Sequence, residues 1–244
     1  MTALPTRKLE AFRYADIDAL ASVWSALSPP ERIEIAAQQR LQQIWVPSDE
    51  PVQVQRAEIA ISEGGIARLF VLNTASEYGR IELEVSVADD AEFELFGANI
   101  GGASTNLEIV TIVRHLGERG RSRQTVRSVL GGKAVGTYLG KVEVARYAQK
   151  TDAEQSVKAM LLDRGATANC KPELEIFADD VKCAHGASVG ELDADQLFYA
   201  MSRGLDPATA RALLLEGFVM GLWDDAPDGD AIRDASRAAL RAVG

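Results

Sequence analysis

Cysteine and histidine, the side chains that most often carry metal and nucleophile chemistry, are scarce here: two of each in 244 residues. Cys170 and Cys183 are too few for a disulfide framework, and no C-x-x-C pair occurs. Reduced thiols point to the cytoplasm. A basic excess is missing as well. The formal charge is −10 at pH 7, which argues against a nucleic-acid partner, since such proteins usually carry a basic footprint. No apolar run approaches the roughly 18 residues of a membrane-spanning helix. Met1–Lys8 lacks the apolar centre of a signal peptide. The expectation is a cytoplasmic protein with no membrane anchor.

Catalytic signatures are equally sparse. Gly131-Gly132-Lys133-Ala134 has Arg127 where a phosphate loop needs its first glycine, and Ala134 where it needs a hydroxyl. No nucleotide is expected to bind this chain. There is no G-x-G-x-x-G after a strand, no G-x-S-x-G and no H-E-x-x-H. A closed zinc site would need both cysteines and both histidines. His115 lies far from the others in sequence, in the basic run Arg114–Arg123, which reads as a solvated turn with an exposed histidine; a partner-facing patch is the alternative.

What is present is periodicity. Residues 1–50 read as an N-terminal helical segment: Ser28-Pro29-Pro30-Glu31 resembles a helix start, Ile33, Ala37, Leu41 and Ile44 recur at helical spacing, and Pro47 ends the run. Residues 51–190 change to a period of two. Ile81, Leu83, Val85 and Val87 alternate with Glu82, Glu84 and Ser86; Glu108, Glu143 and Glu175 are each flanked by apolar residues. Such runs are strands with one wet face. Gln124–Leu130 resembles Gln155–Leu161, 31 positions later, and Val142 and Leu174 lie 32 apart in similar surroundings. A fixed period suggests a stacked β-helix, with a β-sandwich as the alternative. Residues 191–244 return to a helical period. Asp193 with Gln196 and Asp206-Pro207 read as helix starts, and Gly204 as the stop between them.

Val181, Cys183 and His185 alternate, so in a strand they share a face. Thiol and imidazole would then lie roughly 7 Å apart, suited to two edges of one small site. The pair is either such a site or a packed cysteine beside a histidine at the sheet's end.

Lys171–Gly190 (KPELEIFADDVKCAHGASVG) closely resembles the C-terminal signature of the SufB/SufD family, the scaffold subunits of the SUF iron–sulfur cluster assembly system. The likeness continues through Asp195–Gly204 to a helix ending near Phe218. Leu4–Tyr14 (LPTRKLEAFRY) is similar to the family's N-terminal L-P-T-R-x-x-E-x-W-[RK]-Y motif, with Phe12 in place of Trp. Gly186 after His185, and Cys170-Lys171-Pro172 upstream, resemble the SufD branch; SufB members carry a glutamate after the histidine and an upstream E-C-R-N segment.

The resemblance implies a mainly β protein: a right-handed parallel β-helix flanked by N- and C-terminal helical segments. It implies a non-catalytic scaffold that pairs with SufB through the β-helix ends and docks SufC, an ABC-type ATPase, with its helical tail. The cargo would be a transient iron–sulfur cluster shared with SufB. His185 is the preferred residue for that site, Cys183 lies nearby, and Cys170 has no role. Phe198, Tyr199, Arg203, Gly204, Leu213 and Phe218 belong to the docking hairpin. Phe198, Tyr199 and Leu213 are expected to face the hairpin's own core, with the helix surface left for SufC. Family members are longer between the N-terminal motif and the β-helix, so residues 15–60 would be a reduced version. Exposed β-helix edges suggest a homodimer when the chain is isolated. Two readings compete: a β-helix enzyme acting on carbohydrate or acyl groups, and a purely structural homodimer.

Overall fold

A computed structural model describes residues 3–243. The alternating region forms β3 (Val52–Ile61), β4 (Ile66–Asn73), β5 (Tyr78–Val87), β6 (Glu92–Gly101), β7 (Asn106–His115) and β8 (Arg121–Leu130). It continues as β9 (Val135–Val144), β10 (Asp152–Leu161), β11 (Thr167–Ile176) and β12 (Lys182–Glu191). Two shorter strands precede these, β1 (Glu31–Ile35) and β2 (Arg40–Trp45). Every pairing is parallel and joins strands two apart in sequence. One sheet runs β1-β3-β5-β7-β9-β11, and the other runs β2-β4-β6-β8-β10-β12. Each turn of the chain thus gives one strand to each sheet, and six turns stack into a β-helix.

The alternation decides which side chains fill the lumen. Leu83, Val85, Phe93, Leu95, Val113 and Val142 point inward with no exposed surface. Each such side chain contributes about 1.5–3 kcal/mol by leaving water. The weak repeat is the stacking register itself: Gln124 pairs with Gln155 and Val142 with Leu174. The chain reverses at one corner through a left-handed residue in each of the first five turns: Gln38, Gly64, Asp90, Arg119 and Lys150, with φ between 53° and 62°. Each of these donates its N–H to the corner of the next turn, as Asp90 does to the Glu118 carbonyl at 2.9 Å. Only one of the five is glycine, so the glycine-rich turns visible in the sequence mark only part of this ladder.

The helical expectation for residues 28–47 is corrected. Pro29 and Pro30 hold the chain extended, and Ile33 and Ile35 then face inward from β1 at 8% and 3% exposure. Two short strands joined by the four-residue corner at 36–39 mimic a helical spacing of apolar residues. Helix in this region is confined to α1 (Ile17–Trp24), capped by the Asp16 carboxylate, and a 3-10 turn at Glu10–Phe12.

The C-terminal segment comprises α2 (Ala194–Ser202), α3 (Pro207–Val219), a 3-10 turn (Met220–Trp223) and α4 (Asp230–Val243). Asp193 and Asp206 cap α2 and α3, and Gly204 takes φ +96° between them. Leu215, Leu222, Trp223, Ile232 and Leu240 bury themselves against Phe70, Leu72, Ala98, Ile100 and Val129 of the even-numbered sheet. That packing anchors the tail, while α2 and the outer face of α3 project from it.

The N-terminal segment lies across the outer face of the other sheet. Arg80 on β5 donates to the Ala11 carbonyl at 2.9 Å, and its guanidinium sits 4.2 Å from the Phe12 ring centre. Asn106 on β7 donates to the Tyr14 carbonyl at 3.2 Å. Beneath this cover, Arg80 pairs with Glu108 at 3.0 Å and Tyr78 donates to the same carboxylate at 2.5 Å. Glu108 is therefore no solvated strand glutamate; it is fully buried. Burial pushes both the Glu108 carboxyl and the Tyr78 phenol up, against the pull of Arg80.

Candidate functional site

Cys183 and His185 occupy β12, which pairs only with β10. Its neighbour across the lumen, β11, pairs only with β9. Among the described residues, no strand covers the far side of this last turn. Every residue of β12 except Cys183 is exposed, and β11 is half-buried at best. The outer edge of β12 is long, carries few charges and is rich in small residues. Gly186 and Gly190 have no atom within 4 Å of where a Cβ would stand. Their smallness serves nothing inside this chain.

The shared face expected for Cys183 and His185 is the inward one. Cys183 packs against the lumen core, above Ala153. His185 lies two residues on, exposed, in register with Gln155. Cys170 on β11 also faces the lumen and packs on the core, above Tyr138. Burial pushes both the Cys170 and the Cys183 thiol up, so neither is activated toward thiolate within this chain. Among the described residues, no group of three or more Cys, His, Asp or Glu side chains is placed to hold a metal ion. The last turn therefore offers soft and borderline ligands without completing a coordination sphere.

His115 differs from its expected place. It ends β7 inside the lumen with no exposed surface, and its Nε2 lies 2.8 Å from Ser122 Oγ. Burial pulls its imidazole down to about 4. The alternation Val113–Arg114–His115 carried the signal: the arginine points out and its two neighbours point in. The basic run around it is neutralised across turns. Arg114 bridges Glu84 and Glu143, Arg119 pairs with Asp90, and Arg123 pairs with Glu154.

The hairpin residues are also redistributed. Phe198, Tyr199 and Leu213 do not face a core; they are 72%, 59% and 57% exposed. They flank or line an apolar groove that includes Leu205 and Leu214. Arg203 stacks over the Tyr199 ring at 5.2 Å and donates to its hydroxyl at 3.0 Å. Phe218 turns inward, onto the core beneath the tail.

One contact was not visible in the sequence. Lys171, which opens the C-terminal signature, pairs at 2.5 Å with Glu10 of the N-terminal motif. The two motifs, 161 positions apart, meet on the last turn.

The chain thus forms a parallel β-helix that buries its lumen along its length and, among the described residues, ends on an uncovered turn bearing a thiol and an imidazole. Residues 33–218 match the family described as SUF system FeS cluster assembly, SufBD core domain. The chain belongs to that family. It is 38% identical over 175 residues to the chloroplastic protein ABCI7 of Arabidopsis thaliana, which covers 69% of this chain and 36% of the relative. It is 33% identical over 176 residues to the iron–sulfur cluster assembly SufBD family protein slr0076 of Synechocystis, covering 70% and 38%. The iron–sulfur cluster assembly protein SufD of Escherichia coli is 38% identical over 103 residues, covering 42% and 24%. The matched part spans well under half the length of each of these relatives. Among the described residues, no helix is long and apolar enough to cross a membrane.

Proposed function

We propose that this chain is a SufD-type scaffold subunit that pairs with SufB at its last β-helix turn and docks the SufC ATPase on its α2–α3 hairpin. The uncovered β11–β12 turn carries this reading. Two ten-residue strands present free edges beside Cys183 and His185, and such edges recruit another strand. His185 as a neutral imidazole would hold iron or a nascent cluster together with a thiolate from SufB. Cys183, with its raised thiol, is the secondary candidate. The cluster is cargo, held transiently at the joint. ATP hydrolysis belongs to SufC, and the scaffold itself turns over no substrate. Support for SufC docking comes from the exposed Phe198, Tyr199 and Leu213 beside an apolar groove. Arg203 and Gly204 shape the end of α2, whereas Phe218 supports the hairpin from below. The two free thiols suit a reducing compartment, and we place the chain in the cytoplasm. Without SufB, the same edge would support a homodimer.

The test is co-expression with SufB and SufC. A His185→Ala variant should co-purify with both and lose cluster yield. Full yield would remove His185 from the site, and failure of the wild-type chain to co-purify with SufB would remove the scaffold reading.

A further inference from the structure

Apart from His115 and Ser122, four polar side chains form a cluster in the lumen, each about 1% exposed: Thr111, Gln124, Tyr138 and Gln155. They come from both sheets and meet at the centre. Gly140 leaves the space for the Tyr138 hydroxyl, since a Cβ there would stand 2.1 Å from it. The hydrogen bonds have a direction. Thr111 Oγ1 donates to Gln124 Oε1 at 2.7 Å, and the Tyr138 hydroxyl donates to the same oxygen at 3.0 Å. The single Tyr138 proton is then committed, so its oxygen can only accept. Gln155 Nε2 supplies that bond at 2.9 Å. In this arrangement the Gln155 nitrogen faces the lumen's interior, and two amide atoms of the cluster are buried with no partner, Gln155 Oε1 and Gln124 Nε2.

An unpartnered buried carbonyl is costly unless something donates to it. The residue stacked on Gln155 in the next turn is His185, and both line one cavity of about 390 Å³ with Ala184 and Gly186. We infer that Gln155 is a positioning residue for His185: its Oε1 accepts the N–H of one imidazole nitrogen and leaves the lone pair of the other nitrogen directed away from it. The lumenal chain Thr111–Gln124–Tyr138–Gln155 acts as the support that keeps the amide from flipping. A histidine that ligates a metal commonly donates its second ring N–H to such an acceptor, which fixes its tautomer. This inference rests on the reading of His185 as a ligand for its purpose, but not for its geometry.

The tautomer of His185 is read from long-range ¹H–¹⁵N spectra of the metal-free, full chain at a pH where the ring is neutral. The wild type should hold one tautomer in excess. Gln155→Met, which fills the same space without an acceptor, should shift the ratio toward that of free imidazole by about fivefold, the worth of one ordinary hydrogen bond. Tyr138→Phe releases the amide and should shift it in the same direction by less. Gln155→Glu keeps an acceptor and should preserve the wild-type tautomer. Far-ultraviolet circular dichroism confirms folding of each variant. An unchanged ratio in folded Gln155→Met overturns the inference. A fixed tautomer in the wild type, lost in Gln155→Met, together with full cluster yield in His185→Ala, would leave the positioning intact while removing the ligand role.

Discussion

The two ends of the β-helix are built differently. At the first turn, β1 and β2 are five and six residues long, and Glu31, Arg32 and Glu34 of β1 are exposed. Ile33 and Ile35 are still buried there. Short, charged strands are how sheet edges avoid pairing. At the last turn, β11 and β12 are each ten residues long. Ile176 and Phe177 at the end of β11, and Val189 on β12, are 39%, 58% and 49% exposed. No described residue of β1 or β2 is an exposed large hydrophobic. One end is closed by short, charged strands, and the other, among the described residues, is left open. The difference teaches that the candidate residues Cys183 and His185 sit where the fold contributes least to holding them. Their positions must come from the turn below or from a partner.

The comparison can be broken first where the N-terminal segment is fastened to β5. Arg80→Ala would strand Glu108 in a buried, unpaired state and remove the seat of Ala11 and Phe12. A loss of about 3–5 kcal/mol is expected in urea unfolding. A loss below about 1 kcal/mol would mean that the N-terminal segment is not fastened there.

The body of the solenoid also carries a pH dependence. The folded-state value of His115, about 4, lies below its unfolded value near 6.5. Between those values the unfolded chain binds more protons, so stability falls as pH falls from 6.5 to 4. The full loss approaches about 3 kcal/mol. Above pH 6.5 this contribution is complete. His115→Gln should remove that component from the pH profile of the urea midpoint; an unchanged profile would assign it to other groups.

The ends themselves are compared by paired truncations. Ile35→Ala, inside the first turn, should cost about 2–4 kcal/mol. Leu174→Ala, facing inward in the last turn but half-exposed, should cost about 1 kcal/mol by lost burial alone. Equal costs would show that the last turn is as well packed as the first.

Much of this fold was legible as periodicity. Strand alternation and the 31-residue spacing of Gln124 and Gln155 suggested a stacked β-helix over a β-sandwich, and that spacing is the register in which β8 and β10 pair. The first turn was misread, because two strands joined by a four-residue corner reproduce helical spacing. His115 and Glu108 were misread for a different reason. Charged neighbours and alternation normally mark the solvated face, and only the N-terminal segment folded over β5 and β7 buries Glu108. The Cys183–His185 pair was legible as a shared face. Its incompleteness was not, since the absence of a covering strand is a property of the whole stack. The support from Gln155 needed the direction of the Tyr138 hydrogen bond, which no spacing encodes.

Hydrogen–deuterium exchange of the chain alone and bound to SufB and SufC tests the central claim most directly. The account predicts that binding slows exchange of backbone amides in residues 167–191, together with the α2–α3 hairpin, and leaves residues 31–45 unchanged. Protection gained at residues 31–45 with none at 167–191 would place the joint at the wrong end of the molecule.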